Sequence, residues 1–110
     1  MQQRRTVQET LTTGSPADVI AEAKVFFAGR NGIYAAFVER EGPGYVTLRG
    51  QGGEEMVIGA VADNGATRVT GSTYLFDQQI ARFFSTLPTP TIEESVEAGA
   101  SSPELPVPAA

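Results

Sequence analysis

The chain of 110 residues contains no cysteine and no histidine. The lack of cysteine excludes disulfide bonds, thiolate nucleophiles and the usual structural zinc sites. The lack of histidine removes the side chain that most often carries general acid–base catalysis near neutral pH. Chemistry would have to rely on Asp, Glu, Arg or Tyr, so the composition favours a non-catalytic protein, and we expect no metal and no cofactor.

Long hydrophobic runs are absent as well. The first ten residues, MQQRRTVQET, contain no apolar segment of the kind found in a signal peptide, and no stretch reaches the length of a membrane span. Residues 1–87 contain eight basic and nine acidic side chains, a net charge of −1, without the basic cluster that nucleic acid requires. We therefore expect a cytoplasmic protein with no membrane span and no nucleic-acid partner.

Proline is scarce before residue 88 and frequent after it. Residues 88–110, PTPTIEESVEAGASSPELPVPAA, contain five of the seven prolines together with four glutamates. A segment of this composition buries too little apolar surface to offset the entropy lost on ordering. The sequence thus predicts a single α+β domain over residues 4–87 and a disordered tail over residues 88–110.

Strand and helix periodicities succeed one another along the domain. Arg4 to Thr13 alternates as a strand does, and Ser15-Pro16 then begins a helix that ends near Gly29. Four strands joined by short glycine-containing turns follow, at residues 33–41, 45–49, 54–62 and 66–73. A last helix places its apolar residues on one stripe: Phe76, Ile80, Phe83, Phe84 and Leu87. The predicted fold has the order β-α-β-β-β-β-α, with two helices on one face of an antiparallel sheet.

This order resembles a shortened helix-grip fold, the architecture of the START-like superfamily that includes polyketide cyclases and plant pathogenesis-related proteins. The resemblance rests on TVQETLTTGSPADVIAEA, on the run of antiparallel strands, and on GATRVTGSTYLFDQQIARFF. In that family the terminal helix lies across a curved sheet, and a cavity between the two takes apolar ligands. The resemblance implies the same cavity here, although this chain has fewer strands and one helix after its first strand. The resemblance assigns no site residues to positions in this sequence.

Two of the predicted strands are apolar on both faces. In the strand at 33–41, Phe37 and Val38 point to opposite sides, and the strand at 54–62 alternates Val57 and Val61 with Met56 and Ile58. The two helices can cover only one face, so a second subunit, a partner, the tail or curling of the sheet should cover part of the other. We predict an interface on this second face that includes Val38, Val57 and Val61.

A second set of residues could contact a small molecule. Tyrosine offers an aromatic wall with a hydroxyl group, and arginine can bind a carboxylate or phosphate through two nitrogens. The candidate ligand-binding residues are Tyr34, Tyr45, Arg68, Thr70 and Tyr74. The glutamates at 39, 41, 54 and 55 stand at strand ends, where solvated charges discourage edge pairing, and we do not assign them to a catalytic pair.

These patterns favour one function and leave another open. The first is a small interaction or assembly module, as a homodimer or as a subunit of a complex, that uses its apolar outer sheet face. The alternative is a miniature START-like protein that binds an apolar small molecule between the sheet and the C-terminal helix. An enzyme of the cyclase or isomerase type ranks third.

Overall fold

A computed structural model describes residues 5–90 of the chain. It contains an antiparallel sheet of five strands and two α-helices in the order β-α-β-β-β-β-α, which confirms the predicted α+β class. The elements are β1 (Thr6–Thr12), α1 (Pro16–Ala28), β2 (Ala36–Gly42), β3 (Tyr45–Gly50), β4 (Glu55–Asp63), β5 (Ala66–Thr73) and α2 (Asp77–Ser85). Most of the predicted tail, residues 91–110, lies outside the described residues.

One predicted boundary is wrong. The strand expected at residue 33 begins at Ala36, because Gly32–Tyr34 forms a short 3₁₀ turn in front of it. Gly32 has a positive φ of 53°, and the Ala35 amide donates to the Gly32 carbonyl at 3.2 Å, which closes the turn. Glycine adopts this φ without the steric cost that other residues meet. The apolar residues Ile33 and Tyr34 therefore lie at one end of the sheet, outside β2.

The strand order is β1-β5-β4-β3-β2. Strands β2 to β5 form the predicted meander, and the Asn64-Gly65 turn between β4 and β5 has both residues at positive φ, as a tight hairpin requires. Strand β1 pairs along its whole length with β5, with Thr6 opposite Thr73 and Thr12 opposite Thr67. The first and last strands are thus neighbours, and β1 and β2 are the two edges of the sheet.

Helix α1 begins and ends as its sequence predicts. The Ser15 hydroxyl accepts a hydrogen bond from the Asp18 amide at 3.1 Å, and Pro16 occupies the first turn, where no amide hydrogen is needed. The helix contacts β2, β3 and β4. Its buried residues are Val19, Ile20, Ala23 and Phe27.

Helix α2 lies beside α1 on the same face and contacts β1 and β5. Ile80 and Phe83 are fully buried, and the Phe83 ring lies 5.5 Å from the centroids of both Phe26 and Phe27 on α1. The approach to β5 is close: a β-carbon built on Gly71 would lie 2.6 Å from Ile80 Cγ2. Side chains of this chain therefore fill the contact between α2 and the sheet at Gly71.

Candidate interaction surface

The sheet face turned away from both helices, called here the outer face, is defined by the strand registers. Residues directly opposite one another on neighbouring strands share a face, and the alternate set contains the buried core. The described residues on the outer face are Val7, Glu9 and Leu11 of β1, Ala66, Arg68, Thr70 and Ser72 of β5, Glu55, Val57, Gly59, Val61 and Asp63 of β4, Tyr45, Thr47 and Arg49 of β3, and Phe37 and Arg40 of β2. It is a mixed surface of apolar, small and charged residues.

Strand β1 turns its polar side chains toward the helices and its apolar side chains away from them, the reverse of the usual arrangement. Its threonine and glutamine side chains face α2, and Thr12 is fully buried, whereas Val7 is 66% and Leu11 40% exposed on the outer face. Two of these polar side chains have partners: the half-buried Gln8 donates from Nε2 to the Asp77 carbonyl at 2.8 Å, and the buried Thr12 donates from Oγ1 to the Pro88 carbonyl. Hydrogen bonds to α2 and to the chain after it accompany this orientation, and the two largest apolar side chains of β1 face solvent.

One ion-pair cluster crosses the β1, β5 and β4 end of the outer face. Arg68 Nη1 lies 2.9 Å from Glu9 Oε1, and Arg68 Nη2 pairs with the Asp63 carboxylate. The hydrogen bond and charge of Asp63, followed by the charge of Glu9, raise the pKa of Arg68 above its ordinary value. The guanidinium is therefore held between two acids of its own sheet.

A second chain of ion pairs runs along the other end of the outer face. Arg5 lies 3.2 Å from Glu55, and Arg49 lies 3.7 Å from Glu55 and 2.8 Å from Glu39. The hydrogen bond and charge of Glu39 raise the pKa of Arg49 above its ordinary value. The charges of this chain compensate one another, so a partner that covers them would not leave one of them buried alone.

Between these clusters the outer face exposes apolar side chains. Val61 is 58% exposed and lies in one row with Arg68 and Leu11, and Val57 lies half-buried in the next row with Ser72 and Val7. Apolar residues inside a polar surround are typical of interfaces between proteins that are also stable apart. This arrangement can bind another protein surface.

The three residues predicted for the interface do not lie on one face of the sheet. Val57 and Val61 lie on the outer face as expected, but Val38 is opposite Leu48, on the side of the helices. It stands two residues after the buried Ala36, and side chains two positions apart point to the same face. Val38 is exposed because it lies on the edge strand. Val38 therefore does not lie on the outer face, contrary to the prediction from the sequence, whereas Val7 and Leu11 do.

The predicted ligand residues are not gathered around one space. Arg68, Thr70 and Tyr45 lie on the outer face, on the opposite side of the sheet from α2. Tyr34 packs on Phe76 with ring centroids 6.0 Å apart, while the ring of Tyr74 lies under Arg5, 5.2 Å from its guanidinium carbon. These residues do not line a cavity between the sheet and α2, because strand alternation directs Arg68 and Thr70 away from that helix.

A groove lies elsewhere on the surface, where the start of α1 meets the β2–β3 turn. It has a volume of about 450 Å³, its walls include Pro16, Ile20 and Pro43, and Lys24 and Glu41 form an ion pair of 3.0 Å at its rim. From the sequence, Gly42-Pro43-Gly44 is predicted only as a turn between two strands. The only available signal was a second proline, Pro16, at the start of α1, and nothing local showed that the two segments meet.

The acidic residue Glu54 belongs to a turn of the sheet. Glu54 accepts a hydrogen bond from the Gly52 amide at 3.0 Å and closes the β3–β4 turn. Within residues 5–90, no group of three or more acidic side chains converges as a metal site would require. Neither helix in that range is long and apolar enough to cross a membrane. Comparisons with family models, with curated proteins and with solved structures find no match.

Proposed function

We propose that this chain is a non-catalytic assembly module that uses its outer sheet face to contact a second copy of itself, as a homodimer or as a unit of a larger complex. The observation that carries the proposal is the orientation of β1. A strand of a monomeric domain is expected to turn its apolar residues toward the helices, yet here Val7 and Leu11 face away from them. A second protein surface on this face would bury both.

The energetics agree with this reading. Burying a valine or leucine side chain completely contributes about 1.5–3 kcal/mol, and symmetry doubles every such contact in a homodimer. Association would not isolate the charges of Arg68 and Arg49, since both already bind acids of the same sheet. The net charge of each copy is −5, of which residues 1–87 carry only −1, so the domains themselves repel each other only weakly.

The proposal is tested with a double variant, Val7→Glu with Val61→Glu, which places two carboxylates on the outer face. Both side chains are more than half exposed, so the domain should remain folded. We expect sedimentation velocity to show an associated parent chain at micromolar concentration and a monomeric variant. The matched control is Val25→Glu on α1, where the side chain is 75% exposed and faces solvent away from the sheet.

Two results would count against the proposal. A parent chain that sediments as a monomer throughout the micromolar range would show that the outer face does not join copies of the chain. A double variant that associates as strongly as the parent, while both have the same circular dichroism spectrum, would place the contact elsewhere. The control must retain the association of the parent.

The second candidate function is a small binder of an apolar molecule in the manner of a helix-grip protein. The pairing of β1 with β5 and the packing of α2 on these two strands support the resemblance to that fold. The contact of Ile80 with Gly71 leaves no space there, so a ligand would use the groove beside Pro16 and Pro43 instead. We prefer the assembly module because the groove is open and the exposed face of β1 remains unexplained by a ligand. Either function is proposed for a cytoplasmic protein.

A further inference from the structure

The two edges of the sheet are built differently. On the β2 edge the register shifts between Val38 and Arg40, so Glu39 is an extra residue in the strand, and three charged residues follow one another there. Bulges and charges of this kind prevent a foreign strand from pairing with an edge. The β2 edge is thus protected against association.

The β1 edge has none of these features. It pairs without interruption with β5 over seven residues, and TVQETLT contains no proline, lysine or glycine. Among the described strands, β1 is hydrogen-bonded to β5 alone. Its single charge, Glu9, is already bound by Arg68 at 2.9 Å. A regular and nearly uncharged edge is a template for another strand, and natural monomers avoid exposing one.

We propose that β1 pairs antiparallel with β1 of a second copy, about a two-fold axis that passes beside Glu9. This register places Val7 of each copy opposite Leu11 of the other on the outer face, where directly opposed side chains are in contact. Glu9 would face Glu9 of the second copy, and an Arg68 from each chain, which also binds Asp63 of its own sheet, lies beside the pair and offsets part of the repulsion between the two carboxylates. The inference rests on the proposed self-association and places the contact at the β1 edge: Val7 and Leu11 are covered where they oppose each other at the seam, while Val57 and Val61, two strands away, stay on the exposed outer face.

The pairing would join two sheets of five strands into one sheet of ten. A two-fold axis perpendicular to the sheet keeps both outer faces on the same side, so their apolar residues become one surface across the seam. The paired segment from Val7 to Leu11 is only about 17 Å long. Its small extent places the contact at the weak end of protein interfaces unless the outer faces add further contacts.

The test uses the absence of cysteine from the chain. Replacing Glu9 by cysteine places one thiol at the two-fold axis, where opposed Cα atoms are about 4.5–5.5 Å apart, within the range that a disulfide bridges. We expect E9C to form a covalent dimer under mild oxidation much faster than V25C, which reports random collisions. R40C on the protected β2 edge should behave like V25C. T47C and S72C report contact between two outer faces.

The outcomes separate this inference from the proposal on which it rests. Rapid oxidation of E9C with slow oxidation of R40C and V25C is the expected result. If the parent chain is dimeric but E9C oxidises no faster than V25C, the edge pairing is refuted while the assembly function stands, and fast oxidation of T47C or S72C would then indicate face-to-face contact. A monomeric parent with no fast cysteine would refute both.

Because E9C removes the ion pair with Arg68, the unmodified chain provides a second measurement. Hydrogen exchange of the full chain should show stronger protection of the β1 amides at high protein concentration than at low concentration, because pairing satisfies the amides that point away from β5. The β2 amides should exchange at the same rate at both concentrations. Equal exchange of β1 at both concentrations, in a chain that sediments as a dimer, would overturn the edge pairing.

Discussion

Replacing Phe83 by alanine tests how firmly α2 is docked. The ring is fully buried and contacts Phe26 and Phe27 of α1, so its removal deletes the contact that joins the two helices. A buried Phe→Ala change costs about 3–5 kcal/mol, and a domain of this size has a total stability of roughly 4–13 kcal/mol. F83A should therefore lose a large share of the free energy of unfolding, with Tm lowered by about 12 °C or more.

The neighbouring phenylalanine supplies the control. Phe84 is only partly buried and packs at the border of the core, so F84A removes the same atoms at roughly half the cost. Urea unfolding followed by circular dichroism compares the two variants at equal chain length and charge. If the free energy of unfolding falls by less than about 1 kcal/mol in F83A, or by no more than in F84A, then α2 is not tightly packed against α1. The space beneath it would then be adaptable, as the ligand-binding alternative requires.

Two further changes probe the limits of the domain. Gly71→Ala should lower the free energy of unfolding by about 1–3 kcal/mol in urea titration, since the new methyl group would lie 2.6 Å from Ile80 Cγ2; an unchanged midpoint would mean that α2 shifts without cost. A chain that ends at Pro90 should melt within a few degrees of the full chain, because the described core extends only from Val19 to Leu87, and a large fall in Tm would show that residues 91–110 support the fold.

The order of elements could be predicted because each depends on local signals. Ser15 and Pro16 begin α1 through interactions within one turn, and Asn64-Gly65 forms a tight hairpin through its own φ values. The change of period near Phe76 separates β5 from α2 for the same reason. The error at Ile33 has a local cause too, since a glycine with positive φ bent an apolar stretch that alternates like a strand.

The candidate surface could be predicted only in part, because it depends on which face the helices cover. In β1 polar and apolar residues alternate regularly, so the pattern allows either set to face the helices. The observed orientation follows from the hydrogen bonds of Gln8 and Thr12 to α2 and to the chain after it, more than sixty residues away. The pair of Glu9 with Arg68 spans a similar distance along the chain. Local patterns do not contain this information, so they predict neither that Val7 belongs to the exposed apolar surface nor that Val38 lies on the side of the helices.

The native mass of the full chain, measured by gentle electrospray at micromolar concentration, tests the assembly function most directly. We predict a dimer or a larger even assembly with no additional mass. A bare monomer would contradict the account, and a monomer that carries an adduct of defined mass would contradict it in favour of a small-molecule binder.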